Sequence, residues 1–178
     1  DAMIDSTPIV AITAQVVARS LGTDEFQEVD IIGVTMPITK WNYQITSADE
    51  IPEIIAKAFY LARTGRPGPV LIDITKDALV TEIANFTYKP CEYVRGYYPY
   101  PKLNQTEIDE AIKLIDNAKQ PIIFAGHGVE LSQAQDELIA LSEKANIPIA
   151  STIMSLNTIN YDHPNFVGML GMHGNYAP

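Results

Sequence analysis

Cysteine is almost missing from this sequence: Cys91 stands alone among 178 residues. One thiol can form neither an internal disulfide nor a multi-thiolate zinc site, and a reducing compartment is the expectation. Basic side chains are scarce as well, 12 against 22 acidic ones, for a net charge of -10. That field repels polyanions and excludes nucleic acid and anionic membrane surfaces as partners. No apolar run reaches the roughly 18 residues that span a bilayer. The first residues offer neither a basic-then-apolar leader nor an Arg-rich, acid-poor transit segment, so a soluble, cytoplasmic protein is expected. There is no initiator methionine, and Gly171-Met172-His173-Gly174 stops in loop chemistry after an apolar stretch. The chain therefore reads as an internal piece of a longer protein, with a processed mature chain as the alternative. His127, His163 and His173 are too scattered to form a zinc site, and no G-x-S-x-G marks a serine hydrolase.

What is present is the alternation of an α/β protein. Ile9 to Thr13 is a short apolar, β-branched run that predicts a strand buried on both faces. Residues 14 to 25 turn polar, 24 to 35 are weakly helical, and Asn42 to Ile45 predicts another short strand. Ser47-Ala48-Asp49-Glu50 has the S-x-x-E capping-box form, and Ile51, Ile54, Ile55, Ala58, Phe59 and Ala62 follow at helical spacing. That helix should stop at Gly65, where Gly65-Arg66-Pro67-Gly68-Pro69 makes a rigid turn into the strand Val70 to Ile74. Strand, helix and strand at this spacing predict a parallel sheet. Residues 81 to 103, with three prolines and no sustained period, predict a linker. Beyond it come a helix capped by Thr106 and carrying Ile108, Ala111, Ile112, Leu114 and Ile115, then a strand over 121–125. A Gly126-His127-Gly128 turn, a helix over 132–145 and a strand over 147–151 follow.

Several residues carry candidate chemistry. The Gly126-x-Gly128 turn sits between strand and helix, where a diphosphate can approach the backbone, although Leu131 stands where a dinucleotide fingerprint needs its third glycine. A plain tight βα turn reads equally well. Arg66 presents a guanidinium on a stiff turn, suited to grip a phosphate or carboxylate, or simply to be solvated. Phe26-Gln27 and Lys40-Trp41 could line a pocket mouth or lie in a core or interface. Lys76-Asp77 follows a strand at the end of the sheet where ligands bind, and reads alternatively as a surface ion pair.

Taken together, Asp1 to Val10, Gly22-Thr23-Asp24-Glu25-Phe26-Gln27-Glu28, Thr39-Lys40, Gly65 to Asp73, Lys76-Asp77 and Met169-Leu170-Gly171-Met172-His173-Gly174 resemble the large catalytic subunits of acetolactate synthases. These are thiamine-diphosphate enzymes of branched-chain amino-acid biosynthesis. The resemblance covers essentially the whole chain. It implies the parallel-sheet thiamine-diphosphate-enzyme fold. Residues 1–80 would be the C-terminal part of the pyrimidine-binding domain, 81–103 a linker, and 104–178 the N-terminal part of a central, Rossmann-like FAD-binding domain. It further implies that Gln27 lies beside the coenzyme thiazolium, that Phe26, Lys40 and Lys76 line the substrate channel, and that Arg66 contacts FAD. The segments Gly126, His127 and Gly128, then Thr152 and Ile153, then Leu170, Gly171, Met172 and His173 would wrap the same flavin.

The full-length enzyme would use thiamine diphosphate, Mg2+ and FAD, act on 2-keto acids, and assemble as a homodimer or homotetramer with a small regulatory subunit. The glutamate that activates the coenzyme and the ligands of the metal would lie outside these 178 residues, so the piece alone should be inactive. Two motifs depart from the family pattern. Ala14-Gln15-Val16-Val17 stands for G-Q-V-P, and Glu25 for an alanine, which puts inhibitor sensitivity in doubt more than catalysis. The rival expectations are another thiamine-diphosphate carboligase or oxidase, such as glyoxylate carboligase or pyruvate oxidase, and a non-catalytic nucleotide-binding or oligomerisation module.

Overall fold

A computed structural model describes all 178 residues, which form two compact units, Asp1–Lys102 and Leu103–Pro178. In the first, strands β1 (Ile9–Gln15), β2 (Trp41–Ile45) and β3 (Pro69–Thr75) make a wholly parallel sheet in the order β1-β3-β2. Between β1 and β2 lies the short helix α1 (Ile31–Thr35), started by Asp30, whose carboxylate accepts from the Gly33 N–H at 2.9 Å. Helix α2 (Ile51–Arg63) is the crossover from β2 to β3. β3 lies in the middle of the sheet and must be covered on both faces, which accounts for its nearly unbroken apolar spelling. Val70 and Ile72 are wholly buried, and Leu71 and Ile74 nearly so.

The α2 helix forms because Ile54, Ala58, Leu61 and Ala62 repeat on one stripe, and that stripe packs on Ile45, Val70, Ile72 and Ile74. Each such aliphatic side chain stabilises the fold by about 1.5–3 kcal/mol when fully buried. The capping box is present, with the Glu50 carboxylate accepting from the N–H groups of Thr46 and Ser47, each at 3.1 Å. The first turn, Ala48–Glu50, is a tighter 3-10 turn that precedes the helix. Gly65 adopts φ +58 just beyond the helix, and the Gly68 N–H returns to the Ala62 carbonyl at 3.0 Å. A further short helix, α3 (Lys76–Val80), follows β3 and was not anticipated from sequence.

The expected linker does not run free. Val94 and Tyr97 pack on the core of the first unit, and residues 83–95 lie along α2, so most of 81–103 belongs to that unit. The reason is long-range: the Tyr97 hydroxyl bonds the Thr64 carbonyl at 2.7 Å, a contact that local composition does not announce.

The second unit opens with α4 (Gln105–Asn117). Its cap is Asn104, whose side chain accepts from the Thr106 N–H at 3.1 Å, and not Thr106 itself. Every residue of α4 is exposed, including the predicted apolar stripe. Strands β4 (Ile123–Ala125), β5 (Ile149–Ser151) and β6 (Phe166–Met169) form a second parallel sheet in that order. The first two are shorter than their apolar runs, because Pro121 and Pro148 cannot donate to a ladder. Between them come α5 (His127–Leu131) and α6 (Gln135–Ala145), where the sequence predicts one helix from Ser132. The core here is small: Ala125, Ile149 and Ile159, with Ile123, Leu138, Ile139 and Phe166 packed around them. No helix of either unit is long and apolar enough to cross a membrane.

Candidate functional sites at the carboxyl edges of two sheets

Parallel strands put all their carboxyl ends on one rim, so residues far apart in sequence are gathered there. In the first unit this rim carries a cavity of about 590 Å³. Phe26 and Gln27 line it together with Lys76, and so do Ala14, Val17 and Glu25, which depart from the family pattern. Phe26 is 86% exposed, which makes it a lip of the cavity and not part of a core.

Below this rim lies a polar row. Thr13, Asp73 and Gln44 stand opposite one another across β1, β3 and β2. The Asp73 carboxylate is fully buried. It accepts from the Thr13 hydroxyl at 2.7 Å, the Gln44 amide at 2.9 Å and the Gln15 amide at 3.4 Å. Gln15 also donates to the Val29 carbonyl at 2.7 Å and accepts from the Val16 N–H at 2.9 Å. The sheet is thereby joined to the loop that bears Phe26 and Gln27. At the end of β3 the Thr75 hydroxyl is wholly buried and comes near Asp77 without completing a hydrogen bond. A buried, underused hydroxyl at this edge suits a polar ligand.

Lys40 and Arg66 are not part of this cavity. Lys40 precedes β2 and Arg66 precedes β3, so both lie on the opposite, amino rim. Within this chain, strand direction keeps Lys40 apart from the cavity that Lys76 lines. Its ammonium donates to the carbonyls of Leu61 at 2.5 Å and Thr64 at 2.6 Å and to the Tyr97 hydroxyl at 2.9 Å, closing the C-terminus of α2. Arg66 donates through Nε to the Ser6 hydroxyl at 2.9 Å and through Nη2 to the Ile4 carbonyl at 2.9 Å, holding the turn before β1.

The second unit repeats the arrangement. Gly126-His127-Gly128 follows β4, Thr152-Ile153 follows β5, and Leu170 to His173 follows β6. The three segments are adjacent: the Thr152 N–H donates to the Ala125 carbonyl at 2.9 Å, and the Leu170 N–H to the Ser151 carbonyl at 2.8 Å. Gly126, Gly128 and Gly171 have open space where a Cβ would stand, leaving their backbone approachable. Ser151 is wholly buried and its hydroxyl has no partner. Open glycine backbone beside an unpaired hydroxyl fits an extended polar ligand such as a dinucleotide. A groove of about 360 Å³, lined in part by Met169, His173 and Gly174, adjoins this rim. Sequence reasoning missed Ser151 and Gln15, since nothing local marks a buried hydroxyl as unpaired or an amide as a bridge.

Two parallel sheets with ligand-sized openings on their carboxyl rims are the arrangement of a coenzyme-binding α/β enzyme, and residues 108–178 match the thiamine pyrophosphate enzyme central domain. Along nearly its whole length the chain is similar to acetolactate synthases. It is 47% identical over 174 residues to the acetolactate synthase large subunit of Corynebacterium glutamicum, covering 98% of this chain and 28% of that protein. It is 44% identical over 177 residues to the acetolactate synthase of Arthrospira platensis, and 42% over 177 to the acetolactate synthase large subunit of Lactococcus lactis, covering 97% and 99% of this chain and 31% of each relative. The chain thus spans less than a third of the length of the relatives it matches.

Proposed function

We propose that this chain is part of the catalytic subunit of an acetolactate synthase, which joins two pyruvates to 2-acetolactate with uptake of one proton and loss of carbon dioxide. Pyruvate with 2-ketobutyrate would give the longer homologue, on the route to valine, leucine and isoleucine. The observation that carries the reading is similarity along nearly the whole chain to acetolactate synthases. It favours this reaction over the oxidase, glyoxylate carboligase and non-catalytic alternatives.

Thiamine diphosphate, when bound, supplies the electron sink that lets a 2-keto acid lose carbon dioxide without a free acyl anion. The chain's own residues bind and orient. Gln27 offers an amide that can both donate and accept beside the coenzyme. Phe26 gives the cavity mouth an apolar wall that excludes water from the reacting carbon. Lys76 places an ammonium where the carboxylate of a 2-keto acid enters, which favours substrate over neutral ketones.

FAD belongs to the second rim, where Gly126, His127, Gly128, Thr152, Ile153 and Leu170 to His173 would hold it. There it keeps the domain in shape and takes no part in the main reaction. Mg2+ belongs to the reading too, although no cluster of His, Cys, Asp or Glu in this chain could hold it. A cytoplasmic homodimer or homotetramer with a small regulatory subunit completes the proposal.

The test is to express the complete gene product and supply pyruvate, thiamine diphosphate, Mg2+ and FAD. Acetolactate is the expected product. Hydrogen peroxide, or tartronate semialdehyde from glyoxylate, in its place would overturn the proposal.

A further inference from the structure

The loop bearing Phe26 and Gln27 is strained. Gly22, Asp24 and Gln27 all adopt left-handed backbone, at φ +75, +57 and +70. Left-handed backbone is unfavourable for an L-residue, so Asp24 and Gln27 need something to hold them. Glu28 supplies it. Its carboxylate accepts from the Gly22 N–H, from the Thr23 N–H at 3.1 Å and from the Glu25 N–H at 3.3 Å, while its own N–H returns to the Glu25 carbonyl at 2.9 Å. Converging backbone amides of this kind form a concavity that elsewhere receives an external anion. Here the chain fills it with its own carboxylate. One residue later the Val29 carbonyl is taken by Gln15, which Asp73 holds in turn. The segment Glu25-Phe26-Gln27 therefore has a fastening on each side, and these three residues are the part of the loop that lines the cavity.

We propose that Glu28 is the positioning residue of the first site: by gathering the amides of Gly22, Thr23 and Glu25 it sets the turn that presents Phe26 and Gln27 to the cavity. The proposal rests on the acetolactate synthase reading for the identity of the substrate. The loop geometry is independent of it.

The test compares the full-length wild-type protein with Glu28→Gln and Glu28→Ala. Cleavage after Glu25 by a glutamate-specific protease, identified by mass spectrometry as a new end at Phe26, reports the loop. Pyruvate turnover reports the site, and thermal unfolding the fold. Glu28→Ala should speed cleavage by about tenfold or more, since three charge-assisted hydrogen bonds are lost. Glu28→Gln, whose amide oxygen still accepts, should fall between. With the loop loosened, kcat should drop while KM for pyruvate and the thermal midpoint hold. Wild-type cleavage rates in Glu28→Ala, or a lowered midpoint with kcat intact, would overturn the proposal. If the wild-type protein makes no acetolactate, the functional reading falls, and the cleavage rates still decide whether Glu28 sets the loop.

Discussion

Two lysines that look alike in sequence do different things. Lys76 opens onto a cavity, whereas the Lys40 ammonium is engaged by two carbonyls and a hydroxyl. Lys76→Met in the full-length enzyme should therefore raise KM for pyruvate about tenfold, the value of one charge pair of roughly 1.4 kcal/mol, and leave the unfolding midpoint in place. Lys40→Met should do the reverse. It would destabilise the chain by about 2 kcal/mol in denaturant unfolding, because the carbonyls at the end of α2 lose a charged donor. Equal effects of the two substitutions on KM would contradict the separation of the two rims.

Glu50 gives a pH dependence with a definite sign. The Tyr43 hydroxyl, at 2.7 Å, holds its carboxyl below the usual carboxylate range, and the Thr46 and Ser47 N–H groups add to this against an opposing effect of burial. A depressed folded pKa contributes stability that is complete above the unfolded pKa of about 4.3 and is lost as pH falls through the lower folded value. The gap in thermal midpoint between wild type and Glu50→Gln should accordingly be widest near neutrality and close on acidification. A gap that stays constant down to pH 3 would remove the Tyr43–Glu50 pair as its cause.

At the scale of elements, the parts of the fold legible in the sequence are those whose signals are local. The capping box at Ser47 and the stripe from Ile51 to Ala62 predicted α2, and the apolar run from Val70 to Ile74 predicted β3. What escaped depends on partners distant in sequence. The strand β6 has no local signal, because its four residues include Gly168 at φ +116, at an irregular pairing with β5 that no period betrays. Tyr97 and Val94 looked like linker because the surface that receives them is made by α2 and β3. The rim segments were legible as loops after strands. Which lysine faced which rim was not, since that depends on whether the residue enters or leaves its strand.

At the scale of the whole molecule, the two units are unequally furnished. The first has nine buried apolar residues in one cluster, and the second has three. Removing a central side chain of the larger cluster should have the ordinary cost of a well-packed core: Ile72→Ala is expected to destabilise by about 2–5 kcal/mol in denaturant unfolding. A loss under about 1 kcal/mol would mean that the site collapses around the missing atoms.

Asp73 has a further consequence for how the chain finds its arrangement. A slip of one position along either neighbouring strand would face this carboxylate with Ile12 or Ala14 on one side and Tyr43 or Ile45 on the other, where Thr13 and Gln44 now stand. An apolar residue there would keep the sheet at least as cohesive and would tolerate that slip. The acid works as a proof-reader: it makes the wrong alignments intolerable, so the strands have one way to line up.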